Sequence, residues 1–298
     1  MTTRFKKRPS KMGKFLVGVS VASLLAAGFT FWFGWSLIRQ EFPDVAVLKT
    51  QFPVVRYEGK DKPFSIRMEK SRPAHWVSIQ EISKAAVGAV IVSEDWAFYS
   101  HQGYDANQIR EAIREDWEQG KFARGASTIT QQVVKNVFLE RDKNLWRKVK
   151  ELYLAVEIEK TVGKKRILET YLNIAEWGEG VFGIRAASNL YFSKHPSELT
   201  AREGAFLAML LPSPKRYSQS YRSKELTPYA RRIVRSILDK MVRANYLTTE
   251  EKVAETTTLF SWETAGVPAE PGSDETLPES DEDLKDLTPE ERGEGSDV

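Results

Sequence analysis

The chain has 298 residues, with 44 Lys or Arg against 41 Asp or Glu, and its 41% hydrophobic content is enough for a packed core. It contains no cysteine, which excludes disulfides and thiol catalysis. The net charge of +3 hides an asymmetry: from Glu263 onward there are 13 acidic and 2 basic residues, leaving 42 basic against 28 acidic upstream. A basic body suits anionic partners, whether phosphates, a lipid surface, nucleic acid or an acidic glycan.

Arg4, Lys6, Lys7, Arg8, Lys11 and Lys14 precede residues 15–38, a run without a single charge. As a helix that run would be roughly 36 Å long, enough to cross a ~30 Å hydrocarbon core, and the positive-inside rule keeps residues 1–14 in the cytoplasm. Trp32, Phe33 and Trp35 suit an interfacial aromatic belt. A cleaved signal peptide has an apolar core of about 7–15 residues, so the longer run reads as an uncleaved anchor. That topology puts the rest of the chain outside the cytoplasm and argues against a nucleic-acid role.

Residues 39–77 read as a stem, in which 54–57 and 64–68 alternate with period two around 58–63 and predict a hairpin. From Ser78 the pattern turns helical, with capping boxes at Ser78/Glu81 and Thr200/Glu203. Segments 148–160, 165–175 and 230–246 carry apolar residues at three-to-four spacing, and Ile233, Ile237, Leu238 and Met241 form one stripe. Residues 203–211 are apolar nearly all round, which predicts a buried helix stopped by Pro212. From 251, and most plainly beyond Trp262, an acidic composition rich in Pro, Gly and Ser predicts a disordered tail. The expected fold is mainly α, with its principal domain over 78–250.

Residues 127–139 predict a helix with an unusual polar face. At 100° per residue, Gln131, Lys135, Thr128, Gln132 and Asn136 share an arc of roughly 140°. Ile129, Val133, Val134, Val137 and Phe138 fill the other side. A merely solvated face favours long charged residues, whereas amides and a hydroxyl around one cation suit an anionic or sugar ligand. Gly125 at the entrance permits close backbone approach. Glu94 follows the apolar run 87–92, and Asp95, His101 and Asp105 complete a local cluster. That cluster reads as caps and salt bridges, as a metal site, or as carboxylate acid/base machinery. The lack of a second His nearby weighs against the metal. Arg147 and Glu151, four apart, would by themselves be an ordinary helix ion pair.

Four blocks stand in order: Glu94-Asp95-x-x-Phe98-x-x-His101-x-Gly103-Tyr104-Asp105; the run from Arg124 to Asn136 that contains Ser-Thr-Ile-Thr-Gln-Gln; Arg147-Lys148-x-x-Glu151; and Ile167-Leu-Glu-Thr-Tyr-Leu-Asn173, continuing to Gly183 and Tyr191-Phe192. Over roughly residues 78–246 this set resembles the family 51 glycosyltransferases, the peptidoglycan polymerases, and residues 171–183 resemble their monofunctional branch. No Ser-x-x-Lys or Lys-Thr-Gly appears, so no penicillin-binding transpeptidase is expected.

Residues 108–123, bearing Ile109, Ile113, Trp117 and Phe122 among charges, read either as a membrane-facing part or as ordinary core. The resemblance implies a lysozyme-like helical lobe with a smaller membrane-proximal lobe. It implies Glu94 as catalytic base and Glu151 as second essential carboxylate. Thr128, Gln132, Lys135 and Asn136 would bind the donor and its diphosphate, with Arg147 beside them. Arg124, Ser127, Asp95 and His101 would be further substrate-side residues. The partners implied are lipid II, the growing glycan strand, the bilayer and other wall-synthesis proteins. A divalent cation (Mg2+ or Mn2+) would accompany the diphosphate, with no organic cofactor. The expected location is the bacterial inner membrane, single-pass, with the catalytic domain outside the cytoplasm. Two alternatives use the same features: a lysozyme-like muramidase, and an inactive membrane scaffold for wall enzymes.

Overall fold

A computed structural model of the chain describes residues 25–30, 32–34, 36, 39, 42–59, 64–119, 127–140 and 144–263, in two units, 1–44 and 45–298. In the first unit, residues 25–30 and 32–34 are helical, and Phe29 stacks on Phe33 one turn along, 6.2 Å between ring centres. Leu25, Phe29, Trp32 and Phe33 are exposed. Among the described residues no helix is long and apolar enough to cross a membrane. Most of the anchor expected over 15–38 lies outside them, as do Arg124 and the acidic tail from 264.

The second unit opens with the expected hairpin. Strand β1 (Phe52–Arg56) pairs antiparallel with β2 (Ser65–Glu69), Val54 opposite Arg67. Helices then follow one another: α1 (Lys84–Glu94), α2 (Ala106–Gln119), α3 (Ile129–Phe138), α4 (Leu145–Thr161) and α5 (Lys164–Ile174). A small antiparallel pair, β3 (Glu176–Gly178) and β4 (Val181–Phe182), leads into α6 (Ile184–Phe192) and α7 (Ala201–Leu210). The rest is α8 (Pro214–Tyr217), α9 (Gln219–Ser223), α10 (Pro228–Arg243) and α11 (Thr249–Thr257). The unit is mainly α. The side chains of Ile113, Trp117 and Phe122 lie outside the described residues.

Two helix groups meet at the site. Helix α1 packs against α7 and α10, while α3 packs against α4 and α5. The apolar segment expected at 203–211 is α7, buried along its whole length and ending just before Pro212. It touches α1 so closely that a Cβ on Gly204 would stand 2.5 Å from Ala86 Cα, which no larger side chain could tolerate without moving a helix. The Thr200 box forms as expected: Glu203 Oε2 accepts from Thr200 N at 2.9 Å, and Thr200 Oγ1 accepts from Glu203 N at 3.3 Å. The Ser78 box forms as well, though it caps only a 3-10 turn, Ile79–Glu81.

The folded domain extends past the boundary expected at residue 250. Helix α11 and the residues after it clasp the start of α7, where Arg202 donates to the carbonyls of Glu255 and Thr256 and pairs with Glu263 at 3.3 Å. Phe260 is buried in an aromatic cluster with Phe192, Phe206 and Trp262. Composition read this segment as tail because its charges dominate the sequence window. Its few aromatics are what anchor it.

Candidate active site

Glu94 is the last residue of α1. The apolar residues before it are buried against α7 and α10, so its backbone is fixed by core packing rather than by the loop that follows. Gln132 Nε2 of α3 donates to Glu94 Oε2 at 2.8 Å, and Tyr171 Oη of α5 reaches the same oxygen at 3.3 Å. Tyr171 Oη also lies 3.3 Å from Gln132 Oε1. Burial pushes the Glu94 carboxyl above its ordinary value and neighbouring Asp95 adds to that, while the Gln132 and Tyr171 hydrogen bonds and the Lys135 charge oppose it. The Tyr171 phenol is fully enclosed and held well above 10, by desolvation first and then by the nearby Glu94 charge. It is therefore a proton donor throughout the working range.

Asp95 and His101 lie behind this carboxylate. Asp95 is buried; both its oxygens lie 3.0 Å from His101 Nε2, and Oδ2 accepts from Ile129 N, in the first turn of α3, at 2.9 Å. The other ring nitrogen of His101 accepts from Gly103 N at 3.2 Å and faces Lys164 Nζ at 3.3 Å. That pattern places a proton on Nε2, where it faces Asp95. Lys164 Nζ and Thr130 Oγ1 each reach Glu159 Oε1 at 2.6 Å, closing a network across α3, α4 and α5. Gly103, at φ +96°, makes room for it, since a Cβ there would meet Ala155 O at 2.4 Å. Asp105 Oδ1 accepts from the backbone of Asn107 and Gln108 and caps α2.

The polar face of α3 divides in two. The sequence placed Thr128, Gln131, Gln132, Lys135 and Asn136 on one outward arc, but Thr128 and Gln131 are buried. Thr128 caps the helix: its hydroxyl donates to Gly103 O at 2.8 Å and accepts from Gln131 N at 3.2 Å, and Gln131 Oε1 takes Thr128 N at 3.0 Å. A capping box at the helix start satisfies these groups internally, which periodicity alone does not reveal. Ser127, just before it, is half-buried.

Gln132 serves Glu94, and the next turn, Lys135 and Asn136, opens on a groove of about 610 Å³. Phe64, Ser65 and Ile66 of the hairpin segment form another wall, and Arg147 of α4 borders it. Lys135 is exposed and makes no ion pair among the described residues. Desolvation lowers its ammonium pKa, the buried Glu151 opposes that, and Arg147 and Lys148 reinforce it. Glu151 accepts from Lys148 Nζ at 2.5 Å and stands 3.9 Å from Arg147 Nη1. Arg147 Nε is buried without a partner among the described residues. One enclosed carboxylate thus orients two cations beside a third, an arrangement that receives an anion larger than itself. Among the described residues no group of three carboxylate or imidazole ligands converges on one point. A divalent cation here would draw its remaining ligands from the substrate.

The family model for transglycosylases matches residues 62–242. The chain belongs to the transglycosylase family. The biosynthetic peptidoglycan transglycosylase of Shewanella denitrificans is 48% identical over 155 residues, 52% of this chain and 66% of that protein. The enzyme of the same name from Shewanella frigidimarina is 44% identical over 171 residues, covering 57% and 74% of the two chains. That of Nitrosomonas eutropha is 41% identical over 172 residues, covering 56% and 70%.

Within this transglycosylase domain the Ile167–Asn173 block is a latch. Glu169 accepts from Trp76 Nε1 at 2.9 Å, Ile79 N at 3.0 Å and Arg166 Nη1 at 2.5 Å. Asn173 pairs with both Val77 N and Val77 O at 2.8 Å. The segment 76–79 is thereby fixed to one side of α5, and Tyr171 projects from the same helix toward Glu94. The sequence motif contains Tyr171 but assigns it no role. An enclosed tyrosine needs a partner for its hydroxyl, and that need is the signal that could have found it.

Proposed function

We propose that this chain polymerises lipid II into peptidoglycan glycan strands, with Glu94 as general base. The donor is the growing strand, α-linked through a diphosphate to a polyprenyl lipid. The acceptor sugar's 4-hydroxyl attacks the anomeric carbon from the opposite face. The new C1–O4 bond forms in the β configuration, the C1–O bond to diphosphate breaks, and the polyprenyl diphosphate leaves with the electron pair. The hydroxyl proton passes to Glu94. Lys135 and Arg147 meet the charge that grows on the leaving diphosphate, and Asn136 orients it. Glu151 aims Arg147 and Lys148. A divalent cation on the diphosphate would add Lewis-acid charge there, without altering what these residues do.

The observation that carries this reading is the continuity of α3: Gln132 holds the base, and one turn later Lys135 opens on a cation-bordered groove. A muramidase needs a protonated acid for its sugar leaving group and has little use for such a groove.

The membrane setting belongs to the same proposal. On α4, Leu145, Trp146, Val149, Leu152 and Tyr153 are exposed, with Lys148 and Lys150 among them. Apolar and aromatic side chains mixed with Lys suit the interface of a bilayer with anionic lipid. This supports a smaller lobe resting on the membrane, beside a lysozyme-like helical lobe, in an inner-membrane protein anchored by residues 15–38 with its catalytic domain outside the cytoplasm.

The test is polymerisation of purified lipid II by the wild type beside Glu94→Gln and Lys135→Ala. Polymer from the wild type alone supports the reading. Soluble muropeptides released from finished sacculi, with no polymer from lipid II, would replace it with the hydrolase.

A further inference from the structure

The carboxylate of Glu94 is asymmetrically dressed. Both protein donors, Gln132 Nε2 at 2.8 Å and Tyr171 Oη at 3.3 Å, lie on Oε2, and no described residue donates to Oε1. Glu94 is half-buried. We propose that Tyr171 is a positioning residue for the transfer: with Gln132 it occupies Oε2 and leaves Oε1 as the oxygen that takes the acceptor's proton. The inference deepens the assignment of Glu94 as base and rests on it.

A tyrosine hydroxyl has one proton to give. Here it has two acceptors at equal distance, Glu94 Oε2 and Gln132 Oε1. While Glu94 is an anion, the charged oxygen is the stronger acceptor and takes the proton. Once Glu94 has accepted the substrate proton that advantage disappears, and the hydroxyl can turn to the Gln132 carbonyl. Tyr171 therefore favours the basic form of Glu94 selectively. When the hydroxyl has turned, its bond to Gln132 Oε1 keeps that amide's nitrogen aimed at the protonated Glu94. The geometry also separates two needs that conflict in a buried base. The site must be dry enough to give the carboxylate proton affinity, yet the anion must persist at neutral pH.

The pH dependence of lipid II polymerisation tests this on the full-length enzyme. In Tyr171→Phe the anion loses a donor, so kcat at pH 7 should fall roughly tenfold and the acid limb should move to higher pH. The rate should partly recover as pH rises. Placing 3,5-difluorotyrosine at 171 keeps the packing and strengthens the donor, so that limb should move to lower pH. If Tyr171→Phe does not fold, the fluorinated protein decides alone. An acid limb unmoved in every folded variant overturns the proposal, whatever happens to the rate. A carboxyl titration of Glu94 by 13C NMR reads the same contact without turnover. If Glu94→Gln polymerises normally, the base assignment fails; if Glu94→Gln is inactive but Tyr171→Phe leaves the titration unchanged, the positioning role alone fails.

Discussion

Asp95 Oδ2 accepts the backbone N–H of Ile129 at 2.9 Å, so the residue after the proposed base ties down the start of the helix that carries Gln132 and Lys135. The two halves of the site, separated by more than thirty residues of sequence, are set at a fixed distance by one buried carboxylate. His101 completes it from the other side at 3.0 Å. Asp95→Asn keeps the size but offers an amide NH2 to neighbours that are themselves donors. The expected loss is about 2–4 kcal/mol of stability together with most of the polymerising activity. Chemical denaturation with a parallel rate measurement checks it. Wild-type stability in this variant would mean that the contact is dispensable.

Glu94 predicts a trade between stability and function. Its folded pKa is raised by burial above the ordinary 4.5. Between that value and the raised one, the native state binds more protons than the unfolded chain, so stability falls as pH rises through the window. Glu94→Gln carries no such charge. Its melting temperature should match wild type below pH 4.5 and exceed it at pH 7, while polymerisation is abolished. A variant less stable at pH 7 than the wild type would show that the carboxylate is held by more than Gln132 and Tyr171.

Much of this architecture is legible in the amino-acid sequence. The period-two segments became β1 and β2, and the three-to-four spacings became α4, α5 and α10. These are elements whose one apolar face decides their conformation. What the pattern missed depends on partners far away in sequence. Thr128 and Gln131 fall on the polar arc by angle alone, yet end buried because Gly103 O and the capping box are waiting for them. Glu169 and Asn173 look like surface polar residues of α5 until Trp76, Val77 and Ile79 come to rest on them. Tyr171 was hidden for the same reason. Its role needs Glu94, at the end of a different helix. The groove between α3 and the hairpin was equally unreadable, since no local spacing relates Ser65 to Lys135.

Lys135 should control the alkaline side of the pH profile. Desolvation lowers its pKa below the ordinary lysine value of 10.5, so the cation is lost, and the rate with it, as pH rises through that lowered value. Lys135→Arg should move the alkaline limb upward, because guanidinium does not titrate in this range. Lys135→Ala should instead lower kcat by on the order of 10²–10³ below that limb, by analogy with the removal of a single oxyanion donor. Rate profiles from pH 6 to about pH 10 separate the two. An alkaline limb that stays in place in Lys135→Arg would assign it to another group.

The C-terminal clasp gives the last prediction. Arg202 and Glu263 are both nearly enclosed, at 9% and 4% side-chain exposure, and the clasp also supplies two carbonyls to the guanidinium. Glu255 Oε2 takes Thr200 Oγ1 and Arg202 N, each at 2.9 Å, at the start of α7. A chain ending at residue 263 keeps all of this. A chain ending at 247 removes α11, Phe260, Trp262 and Glu263 together, and bares α7, the helix on which α1 packs. Losing the buried Phe260 ring alone costs about 3–5 kcal/mol. The shorter chain should therefore melt well below the longer one, while truncation at 263 leaves the melting temperature unchanged. If the two truncations melt together, the clasp contributes nothing to the fold and Glu94 is supported by α7 and α10 alone.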